Sequence, residues 1–194
     1  MTTQAPDENR TLRVFLIRGV IAIAWAAAFA TVAASLTTNV TVVAGVLLVL
    51  YPLIDAVATL IDARTQHGSA RQWLLINAGT STVAAIALGV AATRGVAAAF
   101  VVFGVWAAVS GAAQLIVALR RRAQLGKQWP LLLANGASVL LGVAFIIMAA
   151  IGHPKLGMLA IYAATGGIEF VIQAWLLARR RRRLANATPV PSAS

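Results

Sequence analysis

The sequence predicts an all-α, polytopic membrane protein with six transmembrane helices arranged as three repeated helical hairpins. Of its 194 residues, 60% are hydrophobic and 11% are charged, whereas soluble domains average about 45–50% and about 25%. The mean hydropathy of +0.85 leaves too little polar surface to coat a water-soluble core. Several uncharged runs also reach the roughly 20 residues that a helix needs to cross a bilayer.

The uncharged runs place the six spans in order along the chain. The stretch 19–54 is too long for one span and contains the polar cluster 35–39, which suits a turn, so it predicts two helices. After the basic loop, Trp129-Pro130 predicts the start of the fifth helix. The predicted spans are 12–34, 40–63, 72–93, 96–119, 129–151 and 156–178. They give the hairpins 12–63, 72–119 and 129–178 within a membrane domain 12–184, flanked by tails 1–11 and 185–194 that we expect to be disordered.

Positive charge is concentrated on one side of these spans. All but two of the 16 Lys and Arg residues lie on the side of the termini, and Arg94 and Lys155 lie opposite. We therefore expect a protein of the bacterial cytoplasmic (inner) membrane with both termini in the cytoplasm. Its basic clusters, above all Arg179–Arg183, would then meet anionic lipid headgroups. The membrane topology explains the net charge of +11, so we expect no nucleic-acid partner. The sequence does not decide whether the protein forms a homo-oligomer or binds an unknown membrane partner.

A pattern repeats in the three hairpins at a spacing of about 55 residues. Aromatic residues recur in the even-numbered spans, namely Tyr51, Trp106 and Tyr162. Near the start of each odd-numbered span a polar residue precedes a small one, namely Arg18-Gly19, Asn77-Ala78 and Asn135-Gly136. Near the end of each even-numbered span comes a second mark, namely Asp55-Ala56, Ser110-Gly111 and Gly166-Gly167. Because each unit has two spans, all three units share one orientation, unlike the inverted repeats of many transporters.

These marks carry a family resemblance. With Arg18-Gly19, Asp55-Ala56 and the element Gly166–Phe170 before a basic end, the chain resembles the HdeD family of small six-helix bacterial inner-membrane proteins. The resemblance covers nearly all of the predicted membrane domain. It implies a stress-associated membrane protein, named for acid resistance, with no established molecular activity and no known catalytic residues.

Ionisable and strongly polar groups are costly inside a membrane span and therefore mark candidate sites, and eight of them share one depth. At about 1.5 Å per residue from the flanking basic residues, they lie roughly 7 to 15 Å deep. They form one layer in the half of the membrane nearer the cytoplasm: Arg18, Asp55, Asn77, Ser110, Gln114, Asn135, Glu169 and Gln173.

Two interpretations of this layer stay open. Polar residues that follow each other by four positions, such as Asn77 and Ser81, give each helix one polar stripe. In the first interpretation, these stripes converge on a small hydrated cavity, open toward the cytoplasm, in which Asp55 and Glu169 bind or relay a proton or cation. In the second, the side chains only bridge helices, at about 0.6 to 2 kcal/mol per hydrogen bond. Arg18 and Asp55 share a hairpin at similar depth, so we expect them to pair. Glu169 has no obvious cationic partner and is the strongest candidate for a proton-sensitive group.

No catalytic or cofactor motif is recognisable. The sequence lacks a nucleophile elbow, a phosphate loop and facing carboxylates, and it contains no Cys. His67 and His153 fall on opposite sides of the membrane and cannot share a metal ion. We expect a non-enzymatic protein without cofactor or metal, of unknown molecular activity and linked to acid or envelope stress. The alternative is a small proton or cation pathway, or a transporter subunit, that uses the polar layer.

Overall fold

The computed structural model describes residues 5–64, 66–125 and 129–187, and within these ranges it contains six α-helices and no strand. The helices are α1 (Ala5–Ala33), α2 (Val42–Ala63), α3 (Gly68–Ala92), α4 (Val96–Leu125), α5 (Trp129–Ala150) and α6 (Met158–Ala187). Five of them contain stretches that are long and apolar enough to cross a bilayer, and the described side chains of α5 add a shorter apolar stretch, Asn135–Ala150. The protein is a polytopic helical membrane protein, as the sequence predicts.

The helix ends differ from the predicted spans in one consistent way. The first helix begins at Ala5, inside the segment 1–11 for which disorder was expected, and the last ends at Ala187, inside the expected tail 185–194. Residues 1–4 and 188–194 lie outside the described part of the chain. The extension of α6 is rich in Arg, Leu and Ala, which favour helix even where the chain has left the apolar layer, whereas the extension of α1 is mostly polar. Hydropathy locates the bilayer crossing and not the end of the helix.

Large apolar side chains face outward along all six helices. Val42, Val83 and Leu140 expose 84%, 66% and 73% of their surfaces, which suits a lipid environment and not water. The inner surface combines small and aromatic residues, with Phe29, Phe100 and Phe103 fully buried.

The helices form a closed ring in which each described helix contacts its two neighbours and α1 meets α6. The most extensive contacts are α4 with α5, α1 with α6 and α2 with α3, and these pairs join helices of different hairpins. The two helices of the first hairpin, and those of the third, touch each other much less. The sequence repeat and the tightest packing units are therefore offset by one helix.

Glycine explains why these pairs lie so close together. A Cβ atom on Gly19 of α1 would lie 2.8 Å from the backbone oxygen of Gly167 on α6. On α4, a Cβ atom at Gly104 would lie 2.6 Å from the backbone oxygen of Gly142 on α5. Only residues without a side chain permit such backbone contact, which is the usual way in which membrane helices gain packing energy.

The two ends of the bundle differ. We call the basic end the one where α1, α3 and α5 begin and α2, α4 and α6 end, because most of the Lys and Arg residues lie there. At the opposite end, the loop after α1 forms hydrogen bonds with the segments that precede α4 and α6. The Thr38 carbonyl accepts a hydrogen bond from Val96 N–H at 2.9 Å, and the Leu36 carbonyl accepts one from Leu156 N–H at 3.0 Å. These bonds hold the three hairpins in register.

Candidate functional site

An ion-pair cluster joins α1 to α2 in the half of the bundle nearer the basic end. Arg18 Nη2 lies 2.7 Å from Asp55 Oδ1, and Arg18 Nη1 lies 3.1 Å from Asp62 Oδ2. The exposed fractions of the Arg18 and Asp55 side chains are 14% and 16%, so both charges are largely shielded from solvent. The predicted pairing of Arg18 with Asp55 is confirmed, and Asp62 is a second partner that the prediction did not include.

The second oxygen of Asp55 extends this cluster to α3 and α4. Asp55 Oδ2 accepts hydrogen bonds from Asn77 Nδ2 at 3.0 Å and from Ser81 Oγ at 2.8 Å. The Ser81 oxygen in turn accepts one from Trp106 Nε1 at 3.0 Å. Both carboxylate oxygens of Asp55 are therefore occupied, and one side chain connects four helices.

A cavity of about 150 Å³ lies inside the ring beside the cluster. Of the eight residues in the predicted polar layer, six line it: Arg18, Asp55, Ser110, Gln114, Asn135 and Glu169. The other two, Asn77 and Gln173, do not line the cavity. The Asn77 amide donates a hydrogen bond to Asp55, and Gln173 lies one helical turn beyond Glu169. The polar stripes of five helices thus meet at one cavity, while α3 reaches the cluster only through its bonds to Asp55.

Aromatic rings close the side of the cavity that faces the opposite end. The recurring residues Tyr51, Trp106 and Tyr162 all line the cavity there. The Phe103 ring packs on these three, with its centroid 6.0, 5.2 and 5.3 Å from theirs. Phe145 packs against Phe103 at 6.1 Å, and we refer to these five residues as the aromatic layer. Phe103 is fully buried, so the layer packs closely across the middle of the ring.

A hydrogen bond fixes the part of the layer contributed by α6. The Ser138 hydroxyl donates to the Ala107 carbonyl at 3.0 Å, and its oxygen lies 2.6 Å from the Tyr162 hydroxyl oxygen. Since the Ser138 proton is already used, the Tyr162 hydroxyl is the donor in this contact. Tyr162 is thereby held across the contact between α4 and α5.

The cavity exists because the three hairpins carry side chains of different size at corresponding positions. Asp55, Ser110 and Gly166 occupy corresponding positions of the three hairpins, and all three line the cavity. Asp55 fills its position with a bonded carboxylate, whereas Gly166 has no side chain, and a Cβ atom there would meet nothing within 4 Å. Glu169 follows one turn later, where the first hairpin carries Ala58. The third hairpin therefore contributes both empty space and a carboxyl group.

Two buried polar groups on the cavity wall lack partners. Ser110 and Asn135 are each 6% exposed, and neither Ser110 Oγ nor Asn135 Nδ2 has a hydrogen-bond partner among the described residues. Glu169 forms no ion pair with any side chain that the structure describes. Buried polar groups are nearly always bonded, so unpaired ones on a cavity wall indicate that something else satisfies them.

Several residues of the site were missed by the predicted layer, namely Asp62, Ser81, Trp106, Ser138 and Tyr162. The recurrence of Tyr51, Trp106 and Tyr162 was a usable signal, because residues that repeat in every unit of a ring lie around a common axis. Ser81 lies four residues after Asn77 on the same face of α3, so the predicted polar stripe of that helix included it. Ser138 gave no comparable signal, since serine is frequent in membrane helices and its partners depend on helix rotation.

Among the residues that the structure describes, no group of three His, Asp or Glu side chains is arranged to hold a metal ion. His67 and His153 lie in loops at the two ends of the bundle.

One part of the chain matches a known family model. The model of a family described as a short repeat of unknown function, DUF308, matches residues 81–148. The matched segment contains the end of α3, all of α4 and most of α5, including the Gly104–Gly142 contact. Searches of curated proteins and of solved structures find no significant match. This segment is therefore similar to a repeat found in membrane proteins whose function is unknown.

Proposed function

We propose that the protein acts in the bacterial cytoplasmic membrane, in resistance to acid or envelope stress, as a non-enzymatic binding protein and not as a channel. In this proposal the basic end faces the cytoplasm, and Arg179–Arg183 contact anionic lipid headgroups. The link to stress follows from the resemblance to the HdeD family, and the matched repeat of unknown function is compatible with it.

The observation that carries the proposal is the aromatic layer. A pathway for protons or ions needs polar groups or water from one side of the membrane to the other. Here the polar cavity ends at Tyr51, Trp106 and Tyr162, and Phe103 packs directly behind them. Beyond this layer the interior is filled by fully buried side chains such as Leu48 and Leu159. This arrangement favours a cavity that exchanges its contents with one side only.

Proton leak into proteoliposomes tests this proposal. An internal pH dye would follow an external acid step in vesicles with wild-type protein, with Glu169→Gln protein and without protein. We expect all three to acidify at the same rate, because the layer excludes water. Faster acidification in wild-type vesicles that Glu169→Gln abolishes would reject the binding proposal.

A second candidate function is a proton or cation pathway, and Glu169 is the observation that favours it. A carboxyl group without an ion pair on the wall of a membrane cavity is a common element of proton relays. For this candidate the same vesicle experiment has the opposite expected result, so one measurement separates the two.

The orientation and the stress link need tests of their own. Because the chain contains no Cys, single cysteines can be placed in loops at the two ends by Gln66→Cys and His153→Cys. We expect a membrane-impermeant maleimide to label intact spheroplasts at position 153 and to label position 66 only after lysis. For the stress link, cells that lack the protein should survive an acid shock less well, and wild-type protein should restore survival.

A further inference from the structure

We propose that the cavity binds one small primary ammonium ion that also carries a hydroxyl group, with Glu169 as the counter-ion and Ser110 and Asn135 as hydroxyl partners. This inference rests on the proposed function, in that it assigns a ligand class to the same one-sided cavity.

The charge of the cavity wall indicates a cation. Three of the lining residues have acidic or basic side chains that can be charged at neutral pH, namely Arg18, Asp55 and Glu169. Arg18 is bound by the carboxylates of Asp55 and Asp62, so its positive charge is already compensated. Glu169 has no such partner among the described side chains, so an ionised Glu169 leaves the cavity negative. An anionic ligand would add to this charge, whereas a monovalent cation would neutralise it.

The size and the walls of the cavity favour an organic cation over a metal ion. A volume near 150 Å³ accommodates a molecule as large as a six-carbon ring, far more than a bare ion. Divalent cations require several oxygen ligands, and Glu169 is the only lining carboxylate that Arg18 does not already hold. Tyr51, Trp106 and Tyr162 supply aromatic walls, which suit ammonium groups. Cation–aromatic contact already occurs at this level, where Arg18 Cζ lies 4.8 Å from the centre of the Phe170 ring.

The unpartnered groups indicate the second part of the ligand. Ser110 Oγ can donate or accept, and Asn135 Nδ2 donates and therefore needs an acceptor. An ammonium group satisfies Glu169 but accepts no hydrogen bond. A hydroxyl oxygen a few bonds from the nitrogen provides the acceptor for Asn135. The ligand is therefore a small amino alcohol of about four to six non-hydrogen atoms.

Equilibrium binding to the full-length protein tests this assignment. Radiolabelled ethanolamine would be dialysed at neutral pH against protein in nanodiscs of phosphatidylglycerol. We expect saturable binding of one molecule per chain. Propylamine has the same number of non-hydrogen atoms but no oxygen, so it should compete at least about tenfold more weakly. Absence of saturable binding would overturn the proposal, and so would equal competition by propylamine or by potassium ions.

Two variants locate the ligand in the cavity. Glu169→Gln should weaken ethanolamine binding at least about tenfold, whereas Glu8→Gln makes the same chemical change near the start of α1, ten residues before Arg18, and should retain binding within about threefold. Unchanged affinity in a folded Glu169→Gln protein would overturn the assignment.

Gly166→Leu provides a test that leaves the charge unchanged. It should block the cavity and abolish binding, since Gly166 lines the open space. Gly136→Leu is its control, because a Cβ atom there also meets nothing within 4 Å but Gly136 does not line the cavity. Binding that survives Gly166→Leu would place the ligand elsewhere on the protein.

The ammonium group could belong to a free amine or to a lipid headgroup. Adding phosphatidylethanolamine to the nanodiscs separates the two sources, because a headgroup that enters the cavity would reduce the apparent affinity for free ethanolamine. Failure of ethanolamine to bind in vesicles that remain proton-tight would reject the ligand and leave the proposed function intact. Ethanolamine binding by a protein whose vesicles leak protons through Glu169 would support the ligand and reject the proposed function.

Discussion

Asp55 and Arg18 form an ion pair, with 2.7 Å between Oδ1 and Nη2, that joins α1 to α2 where these helices otherwise touch little. Because the other oxygen of Asp55 accepts hydrogen bonds from Asn77 and Ser81, the pair also orients the middle of α3. The contact between α1 and α2 thus depends on polar bonds more than on close packing.

Asp55→Asn should destabilise the protein by on the order of 1 to 3 kcal/mol, since it leaves the Arg18 charge with Asp62 alone. Adding Arg18→Gln should then cost less than Arg18→Gln costs in the wild type, because the uncompensated charge is removed. Unfolding by SDS titration in mixed micelles would measure the cycle. Strictly additive losses would mean that the two side chains do not interact in the native protein.

Gly142→Ala should weaken the contact between α4 and α5. A Cβ atom at position 142 would lie 2.5 Å from the Gly104 backbone oxygen, so the helices must separate. We expect a loss of roughly 1 to 3 kcal/mol of stability, as for other overpacked interiors. Gly136→Ala on the same helix has open space around its Cβ and should be neutral or slightly stabilising. Equal effects of the two substitutions would contradict the observed packing.

Tyr162→Phe should cost about 1 kcal/mol, because it removes the hydroxyl that bonds Ser138 while keeping the ring in the aromatic layer. Ser138→Ala should cost more, since it also removes the bond to the Ala107 carbonyl. The double variant should lose less stability than the sum of the losses in the two single variants. Thermal unfolding in detergent, with a far-ultraviolet circular dichroism readout, would compare the three proteins.

Phe103→Ser should open the aromatic layer and make vesicles permeable to protons. Removing the ring leaves space beside Tyr51, Trp106 and Tyr162, and the new hydroxyl favours water. Val105→Ser, on the outward face of the same helix, is the control and should leave vesicles tight. The readout is the internal pH dye after an acid step. If both proteins leave vesicles equally tight, Phe103 is not the barrier.

Some of this structure could be predicted because it depends on distance along the chain. Spans follow from apolar runs, and depth follows from the fixed rise of a helix, so Arg18 and Asp55 could be placed at one level before any fold was known. Which helices pack most closely could not be predicted in this way. Small residues occur along every helix, and only the rotation of α4 and α5 decides that Gly104 meets Gly142.

The candidate site could also be predicted only as far as it depends on sequence position and not on side-chain direction. The polar layer identified six of the lining residues by type and depth. The connection from Asp55 through Ser81 to Trp106 stayed hidden, because it depends on the direction of two short side chains. The reason for the cavity was visible only in the comparison of the three hairpins, where Gly166 stands in place of Asp55 and Ser110.

The contact between α1 and α6 also sets an order for biogenesis. The ribosome releases α1 before four further helices, and α6 emerges only after all of them. Until then, the surface around Gly19 that will receive Gly167 stays open to lipid or to other nascent chains. We therefore expect translation arrest before α6 to yield a species that membrane proteases degrade quickly, and expression of the missing helix as a separate polypeptide to rescue it.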